Sequence, residues 1–216
     1  MKPLSHTRPL LALVLTLAAL SPACNTDPAK GKTLATVGSA TAPSVARAGA
    51  IAYTFSNEGS KLGFVGAKLS AQHEGSFAAF RGSVALVDAD PTASTVSAEI
   101  DVASLTVEPA KLAHHLLTAD LLDAQKFPKA RFTSTAIKTG GANGATHTVT
   151  GNLELHGVTR AVTFPATIAI AADTLSVAAE FAINRKDFGI VYPGMPDDLI
   201  KDDVLIKLAL HAKKTP

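Results

Sequence analysis

Beyond residue 50 the chain alternates apolar and polar side chains with a period of two, the signature of strands that bury one face. In "STVSAEIDV", residues 94–102, Val96, Ala98, Ile100 and Val102 share one side while Ser97, Glu99 and Asp101 take the other. "THTVTGNLEL" sets Val149, Leu153 and Leu155 against Thr148, Thr150, Asn152 and Glu154. "LSVAAEFAI" aligns Leu175, Val177, Ala179, Phe181 and Ile183, and "VLIKLAL" aligns Val204, Ile206, Leu208 and Leu210. Further runs near 51–56, 62–69, 76–87, 131–138 and 161–171 bring the expectation to about eight or nine strands.

Turn-forming clusters separate these runs: "DADP" at 88–91, "GGANG" at 140–144, "HGVTR" at 156–160 and "AAD" at 171–173. One segment breaks the period. In "PAKLAHHLLTADLLDAQKFP", 109–128, Leu112, Leu116, Leu117, Leu121 and Leu122 follow helical spacing between two prolines, which predicts one or two short helices among the strands. Pro165 interrupts the alternating Val162, Phe164, Ala166 and Ile168; having no N–H to give, it belongs at an edge, a bulge or a barrel seam. The fold class is all-β and antiparallel, with a sandwich or a closed barrel as the economical architectures.

Four segments carry a resemblance. "SKLGFVGAKLSAQHEGSFAAFRGSVALVD", "AKLAHHLLTADLLDAQKFPKARFTSTAI", "VTGNLELHGVTRAVTFPATI" and "FAINRKDFGIVYPGMPDDLIKDDVLIKLALHA" resemble, in order over about residues 51–212, successive blocks of the YceI-like family. The resemblance implies a lipocalin-like antiparallel β-barrel of about eight strands with a short helical insert, occupying 49–216. It also implies an apolar tunnel that holds a polyisoprenoid lipid, such as an isoprenoid quinone or a polyprenyl chain, with no cofactor. Two departures, "NEGS" at 57–60 and the pair Leu121 and Leu122 where many relatives carry aromatics, bear on the identity of the ligand rather than on the fold.

The physical scale suits such a ligand. Strands of about ten residues at ~3.3 Å per residue, tilted by roughly 40°, make a barrel on the order of 25 Å tall. Each buried CH₂ contributes ~0.8 kcal/mol and micromolar binding needs about 8 kcal/mol, so several prenyl units supply the affinity without a head-group contact. Phe64, Phe77, Phe132, Phe164 and Phe181, with Ile183, are the candidate cavity contacts. Small residues among the inward candidates (Gly63, Ala67, Ala79, Ala98, Ala136, Gly151, Ala166, Ala179) leave room beside them; the competing expectation is a solid core.

The amino terminus changes the picture of composition. Lys2 and Arg8, the apolar run Leu10–Leu20 and the small residues before Cys24 have the layout of an export signal over 1–23. "LSPAC" resembles a bacterial lipobox, with Ser21 where such boxes usually place leucine. Cys24 is then the lipidation site, 24–48 ("CNTDPAKGKTLATVGSATAPSVARA") a lipidated flexible tether, and the location the periplasm or the outer membrane as an anchored lipoprotein. The alternative is cleavage near Ala23 that leaves an unmodified thiol. As the one cysteine, Cys24 excludes an intramolecular disulfide. Removing the signal lowers Lys plus Arg from 20 to 18 against 18 Asp plus Glu, a balanced charge that excludes the basic stripe of a nucleic-acid binder. A homodimer is compatible with the sequence.

Seven histidines raise the question of a metal. His114 and His115 diverge by ~100° on a helix, and no His-Glu-x-x-His pattern or Cys/His spacing accompanies them, so no metal site is expected. His115, which matches the family's "HL" position, is a candidate for the cavity mouth; the alternative is a helix residue that bonds a nearby backbone carbonyl. In "NRKDFG" strand geometry puts Arg185 and Asp187 on one face as an ion pair; the alternative role for Arg185 is contact with a phosphate or quinone oxygen. No nucleophile elbow, phosphate loop or dinucleotide fingerprint occurs, so a binding module is expected ahead of an enzyme acting through His115 or Arg185.

Overall fold

The computed structural model describes residues 27–215; the expected signal segment 1–23 and Cys24 lie outside them. In chain order the elements are β1 (Thr36–Ser39), β2 (Ile51–Ser56), β3 (Lys61–Ala67), β4 (Gln72–Phe77), β5 (Phe80–Val87), β6 (Asp90–Asp101) and β7 (Leu105–Val107). Helix α1 (Ala110–Leu116) precedes β8 (Lys129–Thr139), β9 (His147–Leu155), β10 (Val158–Ile170) and β11 (Thr174–Asn184). A small hairpin of β12 (Gly194–Met195) and β13 (Asp198–Leu199) leads to the last strand, β14 (Asp203–Lys214).

Three pairs of these strands are halves of bent staves: β2 with β3, β4 with β5, and β6 with β7. Counted so, eight antiparallel staves follow one another up and down, and β14 closes the barrel against the first. Closure pairs the eight staves into a ring, which is how all-β chains avoid edge-to-edge association. Where staves bend or bulge, buried serines repair the ladder. β14 pairs with β3 over Leu205–Ala209 and with β2 at Lys213 and Lys214, and between them His211 donates its N–H to Ser60 Oγ at 3.0 Å. At the β8 bulge Ser134 Oγ accepts from the Val96 N–H at 2.8 Å.

The segment expected as a loose tether is corrected by the structure. β1 lies antiparallel to β10, from Thr36 opposite Thr163 to Ser39 opposite Arg160. On its other side Ala35 donates to the Ala182 carbonyl (2.8 Å) and Ala182 to that of Thr33 (2.9 Å), so the segment is bonded to β11 as well. β10 and β11 pair directly only from Thr167–Ile170 to Ala178–Leu175. Beyond that stretch they part, and β1 stands between them. The barrel therefore has eight staves at one end and nine at the other. "TVGS" carries no apolar alternation, and backbone hydrogen bonds rather than side chains hold it. The chain continues across the outside of the wall, where Thr41 exchanges hydrogen bonds with Asn152 and Ser44 bonds to the carbonyls of Ser134 and Thr135.

Pro165 sits at this seam, as expected. Thr146 Oγ1 accepts from the Ile168 N–H and donates to the Ala166 carbonyl on the β9 side, so by alternation residue 165 directs its missing N–H to the side where β10 changes partner from β1 to β11.

The nine-stave end carries α1, the hydrogen-bonded turns that follow it to Phe127, and the loop 185–202. Leu117, Leu122 and Ala124 of this insert pack on the barrel core. Two buried clusters lie within the barrel, one around Tyr53, Phe55, Val84, Leu86 and Leu175, the other around Val162, Phe164, Phe181, Ile183 and Phe188.

Candidate functional site

Register decides which side chains face inward. Phe64 lies opposite Ile206, which lies opposite Phe181; Phe132 lies opposite both Ala98 and Leu153. These residues share the inner face with the buried Phe55, Val84, Val149 and Phe164. All five candidate phenylalanines thus point into the barrel. Of the small residues expected there, Ala98, Gly151, Ala166 and Ala179 do face inward. Gly63, Ala67 and Ala136 fall on the outer face, because Gly63 and Ala67 alternate out of phase with Phe64 and the β8 bulge flips Ala136.

The aromatic rings form two groups. Phe164 and Phe181 stack with centroids 4.1 Å apart and planes inclined by 11°, and Phe132 joins Phe164 at 5.9 Å. Phe64 meets Phe77 at 5.9 Å. Phe164, Phe181 and Ile183 are buried, whereas Phe64, Phe77 and Phe132 are half-buried although they face inward. Leu62, Leu153, Ile206 and Leu208 on the same face are half-buried too. The inner face is thus buried around Phe164, Phe181 and Ile183 and partly accessible around Phe64, Phe77 and Phe132.

Three of the inward rings, those of Phe55, Phe64 and Phe132, lie against glycines on the neighbouring stave. A β-carbon at Gly82 would stand 2.1 Å from Phe55 Cζ, one at Gly75 2.4 Å from Phe64 Cζ, and one at Gly151 2.3 Å from Phe132 Cζ. Each ring lies flat over a glycine backbone and lines the wall. Sequence reading registers Phe64, Phe132 and Gly151 but neither Phe55 nor the pairing, since only strand register brings the partners together.

Toward the eight-stave end the interior narrows to an apolar cavity of about 50 Å³ bounded by Phe55, Val96, Ile137, Ile168, Val177 and Leu210 among others. An engineered apolar cavity of roughly 150 Å³ holds one benzene. The resemblance led to the expectation of an open tunnel; the barrel is instead close to blind at this end, because β2, β5, β9, β11 and β14 converge on large side chains there. Among the described residues no buried side-chain nitrogen or oxygen lacks a hydrogen-bond partner, so the inner surface offers apolar contact and no unsatisfied polar group.

The polar candidates sit at the nine-stave end. His115 lies on α1 with Nε2 3.5 Å from Asp120 Oδ2 and its ring edge-on to Tyr192, centroids 5.5 Å apart. The helical insert and the loop 185–202 therefore touch above the barrel mouth. Arg185 is not on a strand. It opens a 3-10 turn, Arg185–Phe188, which Asn184 caps and Gly189 ends at φ +74°. Its buried guanidinium donates to the carbonyls of Ile190 (2.6 Å) and Lys201 (3.1 Å) and to Asp202 Oδ1 (3.1 Å). The expected pairing with Asp187 gives way to this clamp, which uses all three nitrogens of Arg185 to fold the loop back on itself.

Two carboxyls at this end are shifted. Burial, then Asp27 and Asp202, push the Asp203 carboxyl above the ordinary aspartate range, while hydrogen bonds from Lys68 and Ser70 hold that of Asp198 below it.

Residues 53–212 match the family model of the YceI-like domain. The chain belongs to the YceI-like family. Among curated proteins it is 37% identical over 139 residues to a UPF0312 protein of Pseudomonas putida (strain W619), covering 62% of this chain and 71% of that one. A UPF0312 protein of Pseudomonas fluorescens (strain SBW25) is 33% identical over the same shares. Among solved structures, Burkholderia cenocepacia BcnA superposes with TM-score 0.64 at 28% identity, over 73% of this chain and 98% of BcnA. A polyisoprenoid binding domain from Saccharophagus degradans implicated in plant cell wall breakdown superposes with TM-score 0.61 at 16% identity, over 76% and 99%. The YceI-like match begins at residue 53, so β1, the ninth stave, lies outside it.

Proposed function

We propose that this YceI-like protein is a binding module that carries or sequesters an isoprenoid lipid, an isoprenoid quinone or a polyprenyl chain, inside its barrel in the bacterial cell envelope. The observation that carries the reading is the half-buried apolar inner face, with rings laid along the wall over Gly75, Gly82 and Gly151. The polyisoprenoid binding domain with the same barrel supports the ligand class. Phe64, Phe77, Phe132, Phe164, Phe181 and Ile183 are the contacts in this reading, and His115 stands at the mouth. Arg185, whose donors are committed to the loop, is left out. Export through the signal over 1–23 and lipidation of Cys24, on the periplasmic side or at the outer membrane, complete the proposal.

The test is native mass spectrometry of the full chain, exported by a bacterial host and purified without detergent, followed by organic extraction. A stoichiometric added mass that resolves to a prenyl lipid is expected. A protein that stays ligand-free after incubation with quinones and polyprenols would sink the reading in favour of a solid-core envelope protein.

A further inference from the structure

Four of the seven exposed large apolar side chains among the described residues gather at one corner of the nine-stave end: Val191 (63% exposed), Met195 (62%), Leu69 (48%) and Leu199 (45%). They stand on two loops that are tied together. Leu69 donates its N–H to the Leu199 carbonyl at 3.1 Å, Asp198 accepts from the Ser70 N–H (3.0 Å) and hydroxyl (2.8 Å) as well as from Lys68, and β12 pairs with β13. Apolar tips held out by such bracing are presented to something rather than left loose.

The start of the described chain says what that is. Lys32 bonds Glu180 at 2.9 Å and Thr33 bonds Ala182, which places residues 27–33 on the outer wall of β11; Asp27 lies close enough to Asp203, at the head of β14, to act on its carboxyl. Cys24 is three residues before Asp27, a reach of at most about 11 Å. Lipidation of Cys24, as proposed above, would put the bilayer within that reach of Asp27, beside the end of the barrel that carries the exposed tips. Around the patch Lys68, Lys186 and Lys201 are outnumbered by the aspartates of 187–203, a balance that suits insertion into an uncharged lipid surface and not attraction to an anionic one.

We propose that the loop pair 68–71 and 190–200 docks on a phospholipid bilayer, with Val191, Met195, Leu69 and Leu199 inserted, and so holds the nine-stave mouth against the membrane. This surface stands on the exposed tips and on the anchor at Cys24 proposed above; its use in loading cargo also rests on the isoprenoid reading.

The chain contains no tryptophan, so a single introduced indole reports its own depth. The full chain bearing M195W is reconstituted on phosphatidylcholine/phosphatidylethanolamine vesicles free of isoprenoids, in parallel with A171W in the β10–β11 turn at the other end. The expected result is quenching of M195W by brominated phosphatidylcholine at least about twofold stronger than that of A171W, with V191D removing the difference. Equal quenching of both, or none at M195W, would overturn the docking surface, as would burial of the M195W indole in vesicle-free protein that deepens with protein concentration, the mark of a second copy. Because the vesicles hold no isoprenoid, these outcomes are independent of whether the barrel carries one.

Discussion

The ring of Phe55 occupies the place where Gly82 would carry a side chain: Phe55 Cζ lies 2.1 Å from that position, with the Ser97 carbonyl at 2.5 Å on the far side. The two residues face each other across the β2–β5 ladder. Replacing Gly82 with alanine forces either the ring into the lumen or the β5–β6 ladder apart. Chemical denaturation of G82A is expected to show a loss of about 1–3 kcal/mol. Gly66 meets nothing within 4 Å, and G66A serves as the control, with stability within roughly 1 kcal/mol of the parent. Equal stability of G82A and the parent would show that the ring is not held by the glycine.

Ala179 faces inward opposite Leu208, on the same face as Phe181. A phenylalanine at 179 has no glycine beneath it and must project into the lumen. A179F is expected to stay folded, at a cost of about 1–3 kcal/mol, and to lose the co-purified prenyl mass in native spectra. Full retention of the lipid by a folded A179F would mean that the ligand lies elsewhere.

Arg185 closes the loop 185–202 through three donors. R185M keeps the aliphatic stem and removes them, leaving the Ile190 and Lys201 carbonyls without partners. Hydrogen exchange of amides in 186–201 is expected to accelerate, with about 1–3 kcal/mol less local stability, while the β8 and β9 amides keep their protection. Unchanged exchange in the loop would remove the clamp from the account.

The two shifted carboxyls act in opposite directions with pH. Asp203 has a raised folded pKa, so the native state holds a proton that the unfolded chain has released, and stability falls as pH rises from the unfolded value of 3.8 through the raised one. D203N should therefore raise the melting temperature near pH 7 and lose that gain in acid. Asp198 has a lowered folded pKa; its contribution is complete above the unfolded 3.8 and disappears as pH falls through the lowered value. D198N should lower the melting temperature near pH 7, with a shrinking effect toward acid. Thermal melts from pH 3 to 7 check both signs.

How much could be read in advance depended on where the information sits. Alternation in "STVSAEIDV" and "LSVAAEFAI" gave the right faces because each strand buries one side against a common interior. The helical spacing of Leu112, Leu116 and Leu117 marked the insert, though α1 itself ends at Leu116 and turns carry the chain on to Phe127. β1 was illegible: four small and polar residues joined through their backbone to partners more than a hundred positions away leave no periodic trace. Arg185 was assigned to a strand because its run continues β11, while the Asn184 cap and the left-handed Gly189 turn the chain aside. The Phe–Gly pairs required register, which hydrophobic pattern alone leaves open.

The ninth stave also sets the order of assembly. Thr36 meets Thr163 and Ala35 meets Ala182, so the segment synthesised first is the one whose place exists last. The slot between β10 and β11 is made only when both strands have folded, and loop closure over such a separation is slow. A chain that emerges amino terminus first must leave this strand waiting, unpaired, until the rest of the wall has grown back to meet it.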